Sequence, residues 1–230
     1  MKNIAIITAR GGSKRIPRKN IKNFCGKPII LYSIEAALNS AVFDEVMVST
    51  DDKEIADISK KAGANVPFFR SKETSNDYAV TSDVIQEVLI KYRQMGKDFD
   101  YGCCIYPTAP FVTSNKLNYA MSMINKMKAD TVIPVVAYSF PPQRAIVIRD
   151  GMAKMQFPEN LNKRSQDFEP IYHDCGQFYV FNVSSFLEAG MLMGKNVIPM
   201  VMDELEVQDI DNLEDWKIAE MKYKAINSRG

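Results

Sequence analysis

Continuous apolar runs, rather than alternating ones, mark the first strands of this chain. Residues 3–8, NIAIIT, have the character of a strand covered on both faces. Residues 28–39 follow as a helix: Pro28 suits a first turn, and Ile30, Ile34, Ala37 and Leu38 fall at i, i+4, i+7 and i+8. The pattern then predicts a strand at 45–50 (EVMVST), a helix over 52–63 ending at Gly63, a short strand at 66–69 (VPFF), and a helix over 80–93 with Val84, Val88, Leu89 and Tyr92 on one stripe. A strand at 101–107 (YGCCIYP), a helix over 115–128 and a strand at 131–138 (TVIPVVAY) continue the alternation. This is the rhythm of an α/β fold with a doubly wound, mostly parallel Rossmann-like sheet. Such sheets bind ligands at the carboxyl ends of their strands, where the loops 8–20, 50–52 and 107–114 fall.

The rhythm breaks from about 139 to 172. In AIVIRDGMAKMQF (145–157), Asp150-Gly151 separates two apolar runs, a strong hairpin signal. This excursion reads as a small lid or dimerisation arm inserted within a single domain spanning 1–230. The chain returns with a strand at 176–183 (GQFYVFNV) and closes with a helix over 212–226. No internal repeat or low-complexity segment interrupts it.

A chain of 230 residues, 46% hydrophobic and 25% charged, can bury the core of one large soluble domain. Its net charge of +1 argues against a general nucleic-acid binder. No apolar run approaches the length of a membrane span, and MKNIAIIT is too short for a signal peptide. Cys25, Cys103, Cys104 and Cys175 form no CxxC motif and read as thiols of a reducing, cytoplasmic compartment.

What changes the picture is the segregation of charge. Arg10, Lys14, Arg15, Arg18, Lys19 and Lys22 crowd around Gly11-Gly12, and no Asp or Glu precedes Glu35. A strand, a Gly-rich cationic loop and a helix make a phosphate-binding arrangement, because glycines let backbone N–H groups approach an anion. The loop lacks the spacing of a Walker A loop or of a dinucleotide-binding GxGxxG. Its bland alternative is a solvated basic loop. Near the other end, residues 203–215 (DELEVQDIDNLED) carry seven acids and no base. In extended chain Asp209 and Asp211 point the same way, which suits Mg²⁺ and its oxygen ligands. The alternative for Asp211 is a helix start, with Asp211 as N-cap and Glu214 at N3. His173, the lone histidine, is either a general base or a hydrogen-bonded positioning residue. Gln177 and Tyr179 share a face of their strand, opposite Phe178, and that face is expected to look toward substrate.

The loop ARGGSKRIPRKN resembles the signature of the acylneuraminate cytidylyltransferases, which activate nine-carbon and related ulosonic acids with CTP. The resemblance runs over nearly the whole chain: STDDKEIA (49–56), Arg70, DYAVTSDV (77–84), YPTAPF (106–111), GQFYVFN (176–182) and DIDNLEDW (209–216). RIPRKNIKNFCGKP, IYPTAPF, FPPQRA and YHDCGQFYVF are most similar to the branch that acts on pseudaminic acid. The resemblance implies the nucleotide-diphospho-sugar transferase fold and transfer of CMP from CTP to the anomeric hydroxyl of a 2-keto sugar acid, with release of pyrophosphate. It implies catalytic roles for Arg10, Lys19, Asp209 and Asp211, and Mg²⁺ on the two aspartates. CTP is expected on Arg10, Gly11, Gly12, Ser13, Lys14, Lys19, Asn20, Arg70 and Thr81. The sugar is expected against Tyr106, His173, Gln177 and Tyr179.

Family members acting on sialic acid carry Gln in a QPTSPLR-type stretch. Here Tyr106 stands in that place and the downstream Arg is missing, which favours an altered sugar with a deoxy terminal carbon. The resemblance further implies a homodimer whose arm closes over the partner's site, with Arg144 or Arg164 reaching across. The product would feed bacterial flagellin or surface-glycan glycosylation. Alternatives are a legionaminic, N-acetylneuraminic or ketodeoxyoctonic acid substrate, another nucleotide with a sugar phosphate, and a non-catalytic nucleotide-binding regulator.

Overall fold

A computed structural model describes residues 1–228. The strands are β1 (Asn3–Thr8), β2 (Asn23–Phe24), β3 (Lys27–Pro28), β4 (Glu45–Ser49), β5 (Tyr101–Ile105), β6 (Thr131–Ala137), β7 (Ile146–Arg149), β8 (Met152–Met155), β9 (Tyr172–Asp174), β10 (Phe178–Asn182) and β11 (Val197–Val201). The α-helices are α1 (Ile30–Ser40), α2 (Lys53–Lys61), α3 (Lys72–Ser75), α4 (Thr81–Gln94), α5 (Ser114–Met127), α6 (Val183–Ala189) and α7 (Leu213–Asn227). The central sheet runs β11-β6-β10-β5-β1-β4, with β9 added on β6. β1 is parallel to β4 and β5, and β11 to β6, whereas β10 is antiparallel to both of its neighbours.

The apolar runs are explained by cover on both faces. Ala5 and Ile7 of β1 join one core cluster with residues of α1, α2 and α5, while Ile4 and Ile6 pack with Ile85, Val88 and Tyr92 of α4. Register sets Thr8 beside Ser49 and Ile7 beside Ile105, so the loops after β1, β4 and β5 emerge together at one sheet edge. A third, aromatic cluster clamps α7 to the front of the molecule: Phe24 meets Trp216 and Tyr223 edge-on, each at 5.5 Å. Ile16 and Ile210 are buried in that cluster, which brings the acidic segment against the cationic loop.

Two expectations and one alternative reading need correction. Pro28 does not open α1; it pairs with Asn23 across a small hairpin turned by Cys25 and Gly26, both at positive φ, and α1 begins at Ile30. No strand forms at 66–69. Asn65 bridges Met47 at the sheet edge, but Pro67 has no N–H to extend a ladder. The cap of α7 lies one residue beyond Asp211: Asn212 accepts from the amides of Glu214 and Asp215, and Asp215 completes the capping box.

The excursion at 139–172 carries the expected β7–β8 hairpin, turned by Asp150 and Gly151 at φ 53° and 75°. Ile146, Ile148 and Met152 are exposed on it. Arg164 pairs with Asp167, and Arg144 donates to the Lys163 carbonyl, both within the arm. All four cysteines are free. Among the described residues no helix is long and apolar enough to cross a membrane.

Candidate functional site

A cavity of about 390 Å³ opens at the carboxyl edge of the sheet, lined by Thr8, Arg10, Ser13, Lys14, Arg15, Lys19, Asn20, Tyr106 and Asp211. Its wall is built by the loop after β1. Arg18 sits in the left-handed region at φ 55°, a sparsely populated place for a non-glycine residue. Two carboxylates from the start of α2 hold it there: Asp52, within 3.0 Å of Nη2, and Glu54. The Arg18 hydrogen bond, against the opposing effect of burial, draws the Asp52 carboxyl down to about 2. The Gly11 amide donates to Asp51 at 2.8 Å. A Cβ at Gly11 would lie 2.9 Å from Asp52 Oδ2 and crowd the carboxylate that holds Arg18. Asn20 is buried and donates to the Arg10 carbonyl at 2.8 Å, closing the loop on itself.

Lys22 lies over the Trp216 ring, 5.6 Å from its centroid, and the other cations face acids. Arg10 and Lys14 both donate to Asp77, Arg10 at 2.7 Å, and these bonds, Lys14 first, hold the Asp77 carboxyl below its usual range. Arg15 pairs with Asp211 at 3.0 Å. The Lys19 ammonium donates at 2.7 Å to the carbonyl of Ile210, the residue between Asp209 and Asp211. Burial lowers the Lys19 pKa, against the pull of Asp211 and Asp209. Asp209 is raised, first by the desolvating walls around it and then by the neighbouring Asp211. Two carboxylates that repel each other beside an ammonium form a place built for positive charge.

Of the residues expected for CTP, Arg10, Ser13, Lys14, Lys19 and Asn20 therefore share one cavity, joined by Asp211 and Tyr106. Gly11 and Gly12 belong to the loop behind it. Arg70 is buried, with Nε 3.0 Å from Ser49 Oγ and Nη2 2.7 Å from the Ser49 carbonyl, and burial lowers its pKa to about 10. Thr81 reaches the cavity only through its hydroxyl, 3.1 Å from that of Tyr106. Asp209 and His173 line a second cavity of about 260 Å³, so Asp209 and Asp211 border different cavities. His173 lies against the Tyr138 ring, centroids 4.7 Å apart, with Nδ1 2.9 Å from the Asp174 carbonyl oxygen.

The shared open face expected for Gln177 and Tyr179 is not found. Gln177 is buried and donates to the Glu206 carbonyl at 2.8 Å. Tyr179 is buried behind Tyr106, ring edge to ring at 5.6 Å. β10 lies between β5 and β6 with both faces covered, so alternation along it does not separate an open face from a closed one. Asp51, Asp52 and Asp77, which hold the loop, were not among the expected site residues. All three lie in stretches that carry the family resemblance, STDDKEIA and DYAVTSDV, and the first two also directly follow a strand that ends at the same edge as β1.

The family profile described as Cytidylyltransferase matches residues 4–177. A pseudaminic acid cytidylyltransferase of Campylobacter jejuni subsp. jejuni is 40% identical over 225 residues, covering 97% of each chain. A CMP-N,N'-diacetyllegionaminic acid synthase of Legionella pneumophila is 34% identical over 96% of this chain and 95% of its own. Among solved structures, a CMP:2-keto-3-deoxy-manno-octonic acid synthetase complexed with CTP superposes with a TM-score of 0.70 over 98% of this chain and 99% of its own; at 17% identity it shows the fold alone.

Proposed function

Because the chain belongs to the cytidylyltransferase family, we propose that it transfers CMP from CTP to a nine-carbon 2-keto sugar acid, pseudaminic acid, and releases pyrophosphate. The sugar's anomeric hydroxyl oxygen forms a bond to the α-phosphorus as the bond to the departing pyrophosphate breaks, and the hydroxyl proton is lost to solvent or a base. Positioning and charge neutralisation supply most of the catalysis in such transfers. Arg10, Lys14 and Lys19 bind the triphosphate, which takes the place of Asp77 on the first two. Arg10 and Lys19 stabilise the charge that builds on pyrophosphate.

The observation that carries this reading is the Lys19–Ile210 hydrogen bond of 2.7 Å, which joins the cationic loop to the acidic segment at the cavity. Asp209 and Asp211 are the residues that would hold Mg²⁺, a reading supported by the raised pKa of Asp209 beside Asp211. Among the described residues no cluster of three metal-ligating side chains exists, and Mg²⁺ needs only one or two carboxylates when substrate phosphates and water complete its shell. When bound, the ion would neutralise phosphate charge and polarise the α-phosphorus.

The exposed apolar edge of the β7–β8 arm supports a homodimer, and four free cysteines accord with a cytoplasmic setting. The product is an activated sugar for flagellin or surface-glycan glycosylation. The test is a matrix of the four nucleoside triphosphates against pseudaminic, legionaminic, N-acetylneuraminic and ketodeoxyoctonic acids, read by pyrophosphate release. CTP with pseudaminic acid should give the highest kcat/KM. Preference for another sugar acid would reassign the substrate, and no pyrophosphate with any pair would leave a nucleotide-binding regulator.

A further inference from the structure

Asp174 closes β9, paired with Val135 of β6. Its side chain is exposed, yet each oxygen has a defined partner. Oδ2 accepts from the Tyr179 hydroxyl at 2.5 Å and Oδ1 from the Gly176 amide at 2.8 Å. Each bond leads to a different wall of the site. Tyr179 stands edge-on to Tyr106, which lines the main cavity and whose hydroxyl meets Thr81. Gly176 turns at φ +60°, and a Cβ placed on it would come within 3.5 Å of Asp209 Cγ.

We infer that Asp174 is a positioning residue, which sets the Tyr179–Tyr106 wall against the sugar through one oxygen and the turn beside Asp209 through the other. The inference rests on the sugar-acid reading above. The chemistry is specific to a carboxylate. The Tyr179 hydroxyl is buried and needs an acceptor, and a hydrogen bond to a charged acceptor is stronger than one to a neutral group. Both tyrosine hydroxyls thus have partners inside the protein. The wall offers substrate mainly the aromatic surface of Tyr106, which fits a sugar face poor in hydroxyl groups.

The two oxygens allow the two effects to be separated. In Asp174→Asn the amide oxygen can still accept from Gly176, while the NH₂ cannot accept from Tyr179. Asp174→Ala removes both. With purified full-length enzyme, Asp174→Asn and Tyr179→Phe should each raise the KM for pseudaminic acid on the order of tenfold, with kcat and the equilibrium affinity for CTP held within about twofold. The double variant should be no worse than either single one, because both remove the same bond. Asp174→Ala should add a fall in kcat through Asp209.

Unchanged sugar KM in both single variants, multiplicative effects in the double variant, or an equal loss of CTP affinity would overturn the inference; the last would mark a general structural defect. A wild-type enzyme inert with every sugar acid removes the functional reading and this inference with it. An active wild type with indifferent variants removes this inference alone.

Discussion

Replacing Lys19 by alanine removes the ammonium that bonds the Ile210 carbonyl at 2.7 Å and feels both Asp209 and Asp211. Nothing else on the loop replaces it there. Arg15 already pairs with Asp211, Arg18 with Asp52 and Glu54, and Arg10 and Lys14 with Asp77. A hydrogen bond involving a charged group contributes about 1.5–3 kcal/mol, or roughly 10- to 150-fold in a rate or affinity. Loss of one preorganised donor to developing charge costs about 10²–10³-fold in turnover. The expected outcome for Lys19→Ala is therefore a fall in kcat/KM of about two orders of magnitude, measured by continuous pyrophosphate release at saturating Mg²⁺. Lys19→Arg keeps the charge but not the compact ammonium between the aspartates, and should recover only part of the loss. The thermal midpoint serves as a fold control. A Lys19→Ala enzyme within about threefold of wild type would refute the assignment of charge stabilisation to this residue.

Asp77→Asn removes the carboxylate that competes for Arg10 and Lys14. Because exposed ion pairs are weak, CTP should bind only about two- to fivefold more tightly by calorimetry. Glu87 accepts from Ser71, Thr74 and Lys91; burial raises its pKa, but these bonds prevail and draw it to about 2. A depressed carboxyl stabilises the fold fully above its usual value of about 4.5, and the contribution, up to about 3 kcal/mol, is lost as pH falls toward 2. Glu87→Gln should flatten that acid limb in urea titrations at pH 3–7. At Gly102 an added Cβ would meet Phe181 Cε2 at 2.6 Å and Cε1 at 2.9 Å. Gly102→Ala should cost about 1–3 kcal/mol or more by overpacking, seen as a lower urea midpoint at unchanged slope.

The alternation of helix and strand was legible because each apolar run is long and its helices are strongly periodic. The 66–69 segment was not, because VPFF has strand composition while Pro67 cannot extend the ladder. The basic loop and the acidic segment stood out by charge segregation, and the resemblance supplied the reason for them to meet; the contact itself is made by Ile16 and Ile210 packing in one cluster. That Asp211 escapes the α7 cap could not, since Asp211-Asn212 offers two capping residues side by side and only packing chooses Asn212. The roles of Asp52 and Asp77 were hidden for a related reason. Each meets its arginine across 34 and 67 residues of chain, a separation that local patterning does not encode. Gln177 misled because alternation locates a face but not what covers it.

In the proposed mechanism, the loop after β1 and the segment before α7 enclose one nucleotide. A crystal structure of the enzyme with CTP and Mg²⁺ tests this directly. It should show the triphosphate on Arg10, Lys14 and Lys19, with Asp77 displaced and metal density at Asp209 and Asp211. A nucleotide bound elsewhere, with the Asp77 pairs intact, would contradict it.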